Sequence, residues 1–197
     1  MIIGLHGRAQ AGKDTVYERA LAIWGAGIVE RRSFADKLYE SAAAALGVEV
    51  ADLQRLKTKP FAFVVVEDPE PFYRVHTVRE YLQRYGTEAH RDVFGEDFWV
   101  QQLDLTGHSN RLVFVTDVRF DNEAAAIRRA GGKIVEVIGD KAGAYQHRSE
   151  AGLTDPPDQV VYNTVRDDGY RALDHAVRDA VYTATNYLET IQGVNES

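Results

Sequence analysis

Two glycines and a lysine near the start of the chain have the spacing of a phosphate-binding loop. Residues 7–13 read GRAQAGK, which satisfies G-x-x-x-x-G-K. Glycines let successive backbone N–H groups face one centre, and the lysine can reach the β- and γ-phosphates of a triphosphate. An apolar strand pattern precedes the loop and a helical pattern follows it. The sequence therefore predicts ATP binding by Gly7, Ala9, Gln10, Ala11, Gly12, Lys13, Asp14 and Thr15.

The residue after the lysine departs from the usual pattern. That position commonly holds a serine or threonine that binds Mg²⁺, whereas this chain has Asp14, followed by Thr15. We expect Mg²⁺ to be held partly through water, with the Thr15 hydroxyl available to the α-phosphate. The aspartate favours a small-metabolite kinase over a switch GTPase.

A second acidic position follows the clearest strand pattern in the chain, RLVFVT at residues 111–116. Its continuous apolar run is typical of a strand covered on both faces. Asp117 is predicted to end this strand at the sheet edge where α/β proteins bind ligands, and it can order the water shell of Mg²⁺. Arg119 can reach a transferring phosphate. The alternatives are a turn residue for Asp117 and a surface arginine for Arg119.

A kinase also binds the molecule that accepts the phosphoryl group, and candidate residues for that acceptor lie mainly in a helical pattern over 78–93, interrupted at Gly86. Arg84 and Glu88, and likewise Glu88 and Arg91, are spaced to share a helix face or adjoining faces, and exposed ion pairs are the alternative interpretation. Trp99 is either a core residue or a stacking wall for a base. A lysine elsewhere can contact an acceptor phosphate from another side. The candidates are Lys37, Arg79, Glu88, Arg91 and Trp99.

Residues 139–158 have the composition of a lid. They are polar, contain glycine and end in proline, and they include His147 and Arg148. A kinase needs a closure that excludes water, because otherwise ATP is hydrolysed. Arg148 or Lys141 is predicted to close on the ATP phosphates.

Bulk composition narrows the class of protein. A chain of 197 residues is long enough for one ordinary domain, and a net charge of −7 argues against a nucleic-acid binder. There is no cysteine, which excludes a disulfide framework. No signal peptide or membrane span is evident, so we expect a cytoplasmic protein (host cytoplasm if it is phage-encoded), as a monomer or homodimer.

Strand and helix patterns alternate along the chain, which predicts an α/β fold with a parallel sheet. Residues 47–77 contain several lysines and prolines and are predicted to be irregular. The predicted strands are 1–6, 28–34, 111–116, 133–138 and 159–162. The predicted helices are 13–24, 36–46, 78–93, 96–104, 122–130 with Asp121 as N-cap, and 171–191.

Several of these segments together resemble the phage-type deoxynucleoside monophosphate kinases. They are GRAQAGKDT, SFADKLYE at 33–40, REYLQRYGTEAHRDVFGEDFWV at 79–100, VFVTDVRFDNEAAAI at 113–127 and HRSE at 147–150. They run in the family's order from residue 7 to residue 150. The most specific elements are GTE-x-x-R at 86–91 and DVRF-x-NE at 117–123.

The resemblance implies a P-loop nucleoside monophosphate kinase fold as a single three-layer domain around a five-stranded parallel sheet. Its core would comprise 1–36, 111–138 and 159–192, with an acceptor-binding insertion at 37–110 and a lid at 139–158. The resemblance also implies transfer of a phosphoryl group from ATP, with Mg²⁺ as cofactor, to a deoxynucleoside monophosphate. Lys13 and the loop would hold ATP, and Asp117 and Arg119 would serve magnesium and phosphate. The acceptor would contact Arg79, Glu88, Arg91 and Trp99. The resemblance assigns roles to Lys37 and Arg148 on weaker motif matches.

Two other functions stay open at this point. The fold is shared with dephospho-coenzyme A kinases, whose alcohol acceptor would need a carboxylate base, for which Asp14 is the candidate. A nucleotide-dependent switch or binding module would hydrolyse ATP slowly and show no acceptor-stimulated ADP release.

Overall fold

The chain forms two compact units in a computed structural model. The structure describes residues 1–57, 59–67, 70–106, 110–140, 152–164 and 169–194, without the side chains of 60–76 and 185–194. The first unit comprises Met1–Phe34 and Leu103–Ser197, and the second comprises Ala35–Gln102.

The strands and helices alternate over most of the chain. The strands are β1 (Ile2–His6), β2 (Val29–Arg32), β3 (Pro60–Glu67), β4 (Glu70–Thr77), β5 (Leu112–Val118), β6 (Lys133–Gly139) and β7 (Gln159–Asn163). The helices are α1 (Lys13–Trp24), α2 (Ala35–Leu46), α3 (Val50–Arg55), α4 (Val78–Gly86), α5 (Asp92–Phe94), α6 (Asp121–Arg129) and α7 (Arg171–Val194). A π-helical turn covers Thr87–Arg91 and a 3₁₀ turn covers Val100–Gln102.

The first unit is built on a five-stranded sheet with the order β2-β5-β1-β6-β7. Every neighbouring pair is parallel, which confirms the predicted sheet. β1 lies at the centre, and all five of its residues are buried. Parallel strands covered on both faces need continuous apolar sequences, which is why the apolar runs at 2–5 and 112–115 predict strands.

Helices cover both faces of this sheet. Ile3 and Leu5 pack in a core with residues of α1 and α7, and each such buried side chain contributes about 1.5–3 kcal/mol. Gly4 faces the opposite side, because successive strand residues alternate. A Cβ on Gly4 would lie 2.7 Å from Cδ1 of Ile127 in α6. The predicted three-layer α/β fold is therefore confirmed.

The second unit packs α2, α3 and α4 around a smaller core. Its buried residues include Ala42, Ala43, Leu53, Val78 and Leu82. α4 begins with a capping box, in which the Thr77 hydroxyl accepts the Glu80 N–H and the Glu80 carboxylate accepts the Thr77 N–H. Such a box fixes where a helix begins.

The prediction that residues 47–77 are irregular was wrong. The segment contains α3 and an antiparallel pair of strands, β3 and β4, with Pro60 opposite Thr77 and Glu67 opposite Glu70. The run FAFVVV favours a strand, and a two-stranded ribbon has only edge strands, where proline is tolerated. The prolines were therefore misleading as loop signals.

Three smaller predictions also need correction. Residues 96–104 form only the 3₁₀ turn at Val100–Gln102, not a helix. β5 continues through Asp117 to Val118, so Asp117 does not end it. Asp121 is the first helical residue of α6 rather than its N-cap, because its carboxylate accepts hydrogen bonds from Thr154 instead. Among the described residues, no helix is both long and apolar enough to cross a membrane.

Candidate active site

The phosphate-binding loop predicted from the sequence lies between β1 and α1. Gly7 and Gly12 have φ of 143° and 90°, values that L side chains rarely adopt. Neither position has room for a side chain. A Cβ on Gly7 would lie 2.4 Å from the Val137 carbonyl oxygen, and one on Gly12 would lie 1.8 Å from Nδ2 of Asn163. The two glycines thus let the loop lie directly on the ends of β6 and β7.

Lys13 holds its positive charge at this loop. Its Nζ donates hydrogen bonds of 2.7 Å to the Gly7 carbonyl oxygen and 3.0 Å to that of Arg8. Lys13 is also the first residue of α1, whose N-terminus receives no side-chain capping bond. The first-turn N–H groups of a helix lack intrahelical partners and favour an anion. Ammonium group and helix end are together suited to phosphate.

Asn163 is a contributor to the loop that the sequence did not reveal. At the end of β7, its Nδ2 donates a 3.1 Å hydrogen bond to the Ala11 carbonyl oxygen. The contact joins residues 152 positions apart, so no local pattern could have indicated it. It fixes the peptide group just before Gly12.

Asp117 links the carboxyl ends of two strands, β5 and β2. Its carboxylate accepts a 2.7 Å bond from the Ser33 hydroxyl and a 2.9 Å bond from the Phe34 N–H. It therefore fastens the chain that follows β2 to the end of β5. A carboxylate has about four acceptor positions, so this linkage is compatible with an additional bond to water.

Arg119 is carried by a backbone that a buried carboxylate holds in place. Glu123 is only 2% exposed, and its Oε2 accepts the N–H groups of Arg119 at 2.8 Å and Phe120 at 3.2 Å. The DVRF-x-NE element thus combines Arg119 with the residue that supports it. The glutamate three residues into a helix start was the available sequence signal for this role.

The metal-binding capacity of the described residues is limited. They contain no group of three or more His, Cys, Asp or Glu side chains that could hold a metal ion. In nucleotide sites Mg²⁺ uses one or two carboxylates together with phosphate oxygens and water. Asp14, exposed in the first turn of α1, and Asp117 fit that requirement. The donor set is suited to magnesium that arrives with a triphosphate.

Only part of the predicted lid falls within the described residues. Arg148, Lys141 and His147 lie outside them. Residues 152–158 contact α6: the Thr154 hydroxyl and N–H donate to Asp121 at 2.7 and 2.8 Å, and Arg128 donates to the Pro156 carbonyl at 2.7 Å. The bond from the Thr154 hydroxyl is the main cause that lowers the pKa of Asp121 below its ordinary value of 3.8.

This linkage predicts a pH-dependent stability. Asp121 has a lowered pKa in the folded state, so its contribution is complete above pH 3.8 and is lost as the pH falls through the folded pKa. We expect Thr154→Val to lower the free energy of unfolding at pH 7, and the deficit to shrink below about pH 4. Denaturant unfolding between pH 7 and pH 3 measures this. Thr183→Val, at an exposed position of α7, is the control, and a deficit that is independent of pH would contradict the prediction.

The second unit contains the acceptor candidates in different environments. Lys37 is half exposed and pairs with Glu40 at 2.6 Å, and Arg79 is exposed on α4. Glu88 is 61% exposed and lies 3.9 Å from Arg84, as the helical spacing predicted. Surface pairs of this kind contribute little stability. Because Lys37, Arg79 and Glu88 are exposed, their charges are accessible to a ligand.

Two further candidates are buried. Arg91 is 6% exposed, and its Nη1 donates a 3.0 Å bond to the Glu96 carbonyl. Trp99 is 4% exposed, and its Nε1 donates a 2.8 Å bond to the Gly86 carbonyl. Burial of Trp99 within its unit agrees with the core alternative and not with an open stacking wall. The π-helical turn that ends at Arg91 was not predicted.

Comparison with known families identifies the group of proteins to which this site belongs. A family model described as Deoxynucleotide monophosphate kinase matches residues 29–169. The chain belongs to this family. No curated protein matches the chain. The resemblance noted from the sequence motifs is thereby confirmed, and the protein is a phosphotransferase with deoxynucleotide monophosphate kinase activity as its family function.

The match to the deoxynucleotide monophosphate kinases spans the candidate site residues that follow the phosphate-binding loop and its first helical turn. It includes Asp117 and Arg119 in the first unit and the five acceptor candidates in the second unit. The loop at residues 7–13 lies outside the matched range. Its geometry therefore indicates a site suited to phosphate groups independently of the family match.

Proposed function

We propose that the protein transfers the γ-phosphoryl group of ATP to a deoxynucleoside monophosphate and thereby forms the diphosphate and ADP. The observation that carries the proposal is the loop at 7–13, where Lys13 is held across the carbonyls of Gly7 and Arg8. A kinase of nucleotide monophosphates needs a donor site, and this loop has the residues for the phosphates of ATP.

The donor phosphates would bind at the first unit. The N–H groups of the loop and of the first turn of α1 would face the phosphate oxygens, and Lys13 would shift from the loop carbonyls to the β- and γ-phosphates. Arg119, on the backbone fixed by Glu123, would bind the group in transfer. Asp14 and Asp117 would hold Mg²⁺ through water, and the ion would supply neutralisation of phosphate charge.

The transfer itself requires positioning and charge compensation more than covalent chemistry. An oxygen of the acceptor phosphate attacks the γ-phosphorus, and the bond from that phosphorus to the oxygen bridging the β-phosphate breaks. The bridging oxygen departs with ADP. The attacking oxygen is already ionised at neutral pH, so no general base is required. Arg91 and Arg79 would bind the acceptor phosphate, and Glu88 and Lys37 would contact other parts of the acceptor.

A panel of acceptors tests this proposal. We expect ADP release from ATP and Mg²⁺ to rise at least tenfold when at least one of the four deoxynucleoside monophosphates is added. Dephospho-coenzyme A should leave the rate at its background level, because its attacking hydroxyl would need a base and the proposal assigns Asp14, the candidate base, to Mg²⁺. A coupled assay of ADP measures both. Stimulation by dephospho-coenzyme A alone, or by no acceptor, would refute the proposed reaction.

A further inference from the structure

The π-helical turn at Thr87–Arg91 changes the hydrogen bonding of the helix that precedes it. Through Thr87, whose N–H donates to the Gln83 carbonyl, the bonds have the ordinary spacing of four residues. At Asp92 the N–H donates to the Thr87 carbonyl, which is five residues earlier. Such wide turns are rare and often lie at functional sites. This one coincides with the GTE-x-x-R element of the sequence.

Two side chains donate to carbonyls at the point where the spacing changes. His90 Nδ1 donates a 2.6 Å bond to the Tyr85 carbonyl, and Trp99 Nε1 donates a 2.8 Å bond to the Gly86 carbonyl. Since a carbonyl only accepts, His90 carries a proton on Nδ1. The imidazole also packs against the Trp99 ring, with centroids 4.9 Å apart. The rings of His90 and Trp99 thus pack together and bond two neighbouring carbonyls just before the turn, and we call this pair the aromatic support.

Arg91 is the buried cation at the end of this turn. It closes the π-helical turn, is 6% exposed, and is fixed further by its bond to the Glu96 carbonyl. If the turn relaxed to ordinary helical spacing, the residues after it would rotate by about 100° around the helix axis. A buried guanidinium needs its hydrogen-bond partners within reach, because an uncompensated buried charge is costly. The position of Arg91 is therefore sensitive to such a rotation.

We propose that His90 and Trp99 are positioning residues that hold the wide turn and thereby place Arg91 for the acceptor phosphate. The inference rests on the proposed function, in which Arg91 binds that phosphate. It assigns Trp99 an indirect role in place of direct contact with the substrate. It also adds His90, which no sequence pattern had indicated.

The two tryptophans of the chain provide a matched pair of variants. Trp99→Phe keeps an aromatic ring and removes the N–H donor. Trp24→Phe makes the same change at the end of α1 in the first unit, where the ring is half-buried and contacts Arg178. For His90, Phe removes the donor, whereas Asn places an amide N–H near the position of Nδ1 and should restore the bond.

Two measurements separate the inference from the proposed function. Amide hydrogen exchange without any nucleotide should be about tenfold faster over residues 87–92 in Trp99→Phe and His90→Phe than in wild type, Trp24→Phe and His90→Asn. In the kinase assay, the same two variants should raise the acceptor KM about tenfold and leave the ATP KM within twofold. A purely structural role would not produce this split between the two substrates.

Each outcome has a defined meaning. Unchanged exchange in both donor-deletion variants would overturn the inference. Faster exchange with an unchanged acceptor KM would also overturn it, because the turn would then have no role in acceptor binding. If the wild-type protein phosphorylates no deoxynucleoside monophosphate, the proposed function fails, and the exchange data still decide whether the two residues hold the turn. If Trp99→Phe does not fold, the His90→Phe and His90→Asn pair gives the result.

Discussion

Lys13→Ala is expected to lower kcat/KM by roughly a thousandfold, equivalent to about 4 kcal/mol of transition-state stabilisation. The variant removes the positive charge held at the Gly7 and Arg8 carbonyls. Charge on the transferring group must be compensated throughout the reaction, and no other lysine belongs to the loop. Steady-state ADP release with varied ATP and acceptor measures the loss.

The matched control for this variant is Lys59→Ala. Lys59 is exposed in the second unit, and its replacement removes the same charge and leaves the loop unchanged. We expect wild-type turnover from the control and thermal unfolding midpoints within a few degrees for both variants, since the Lys13 ammonium is only partly buried. Near-normal turnover of Lys13→Ala would remove the loop from the catalytic site.

Gly139→Ala is expected to produce the second large effect. A Cβ at Gly139 would lie 2.4 Å from the Ala11 carbonyl oxygen and 2.9 Å from its carbonyl carbon. Backbone atoms cannot rotate away as a side chain can, so the phosphate-binding loop must shift. Overpacking of this kind costs about 1–3 kcal/mol. We expect the ATP dissociation constant to rise about tenfold or more, with an unchanged acceptor KM and a lower thermal midpoint.

Gly27→Ala serves as the comparison, because it makes the same chemical change in open space. A Cβ on Gly27 has no atom within 4 Å, and neither glycine has a φ in the left-handed region. Calorimetric titration with ATP should give the wild-type affinity for Gly27→Ala. If Gly139→Ala lowered stability but retained wild-type ATP affinity, the position of the loop would not depend on β6.

The sequence identified those parts of the fold that depend on local patterns. The strands at 111–116 and 133–138 were recognised because a buried parallel strand needs an uninterrupted apolar run. The loop was recognised because its glycine and lysine spacing lies between a strand pattern and a helix pattern, which together indicate a phosphate-binding loop. The pairing of β3 with β4 was missed because prolines such as Pro60 and Pro71 argue against a central strand. They are tolerated in edge strands, and the sequence does not reveal that both of these strands are edge strands.

The parts of the site that the sequence did not reveal depend on contacts between distant residues. Asn163 and Gly139 lie against the loop only because β6 and β7 follow β1 in the sheet. The wide turn at 87–91 likewise depends on a donor from Trp99, thirteen residues after Gly86. Helical spacing predicts that Glu88 and Arg91 share a face or adjoining faces, whereas the structure leaves Glu88 exposed and buries Arg91.

Under the proposed function, the contacts of the loop with β6 and β7 also determine whether the entropy cost of ordering the loop is part of ATP binding or part of folding. A loop that orders only around its ligand loses conformational entropy of about 1–2 kcal/mol per residue at the moment of binding. Here Gly7 lies on the Val137 carbonyl and Ala11 accepts the Asn163 amide, so the loop is ordered when the sheet forms. Its ordering therefore belongs to the free energy of folding, and the affinity for ATP is not reduced by it.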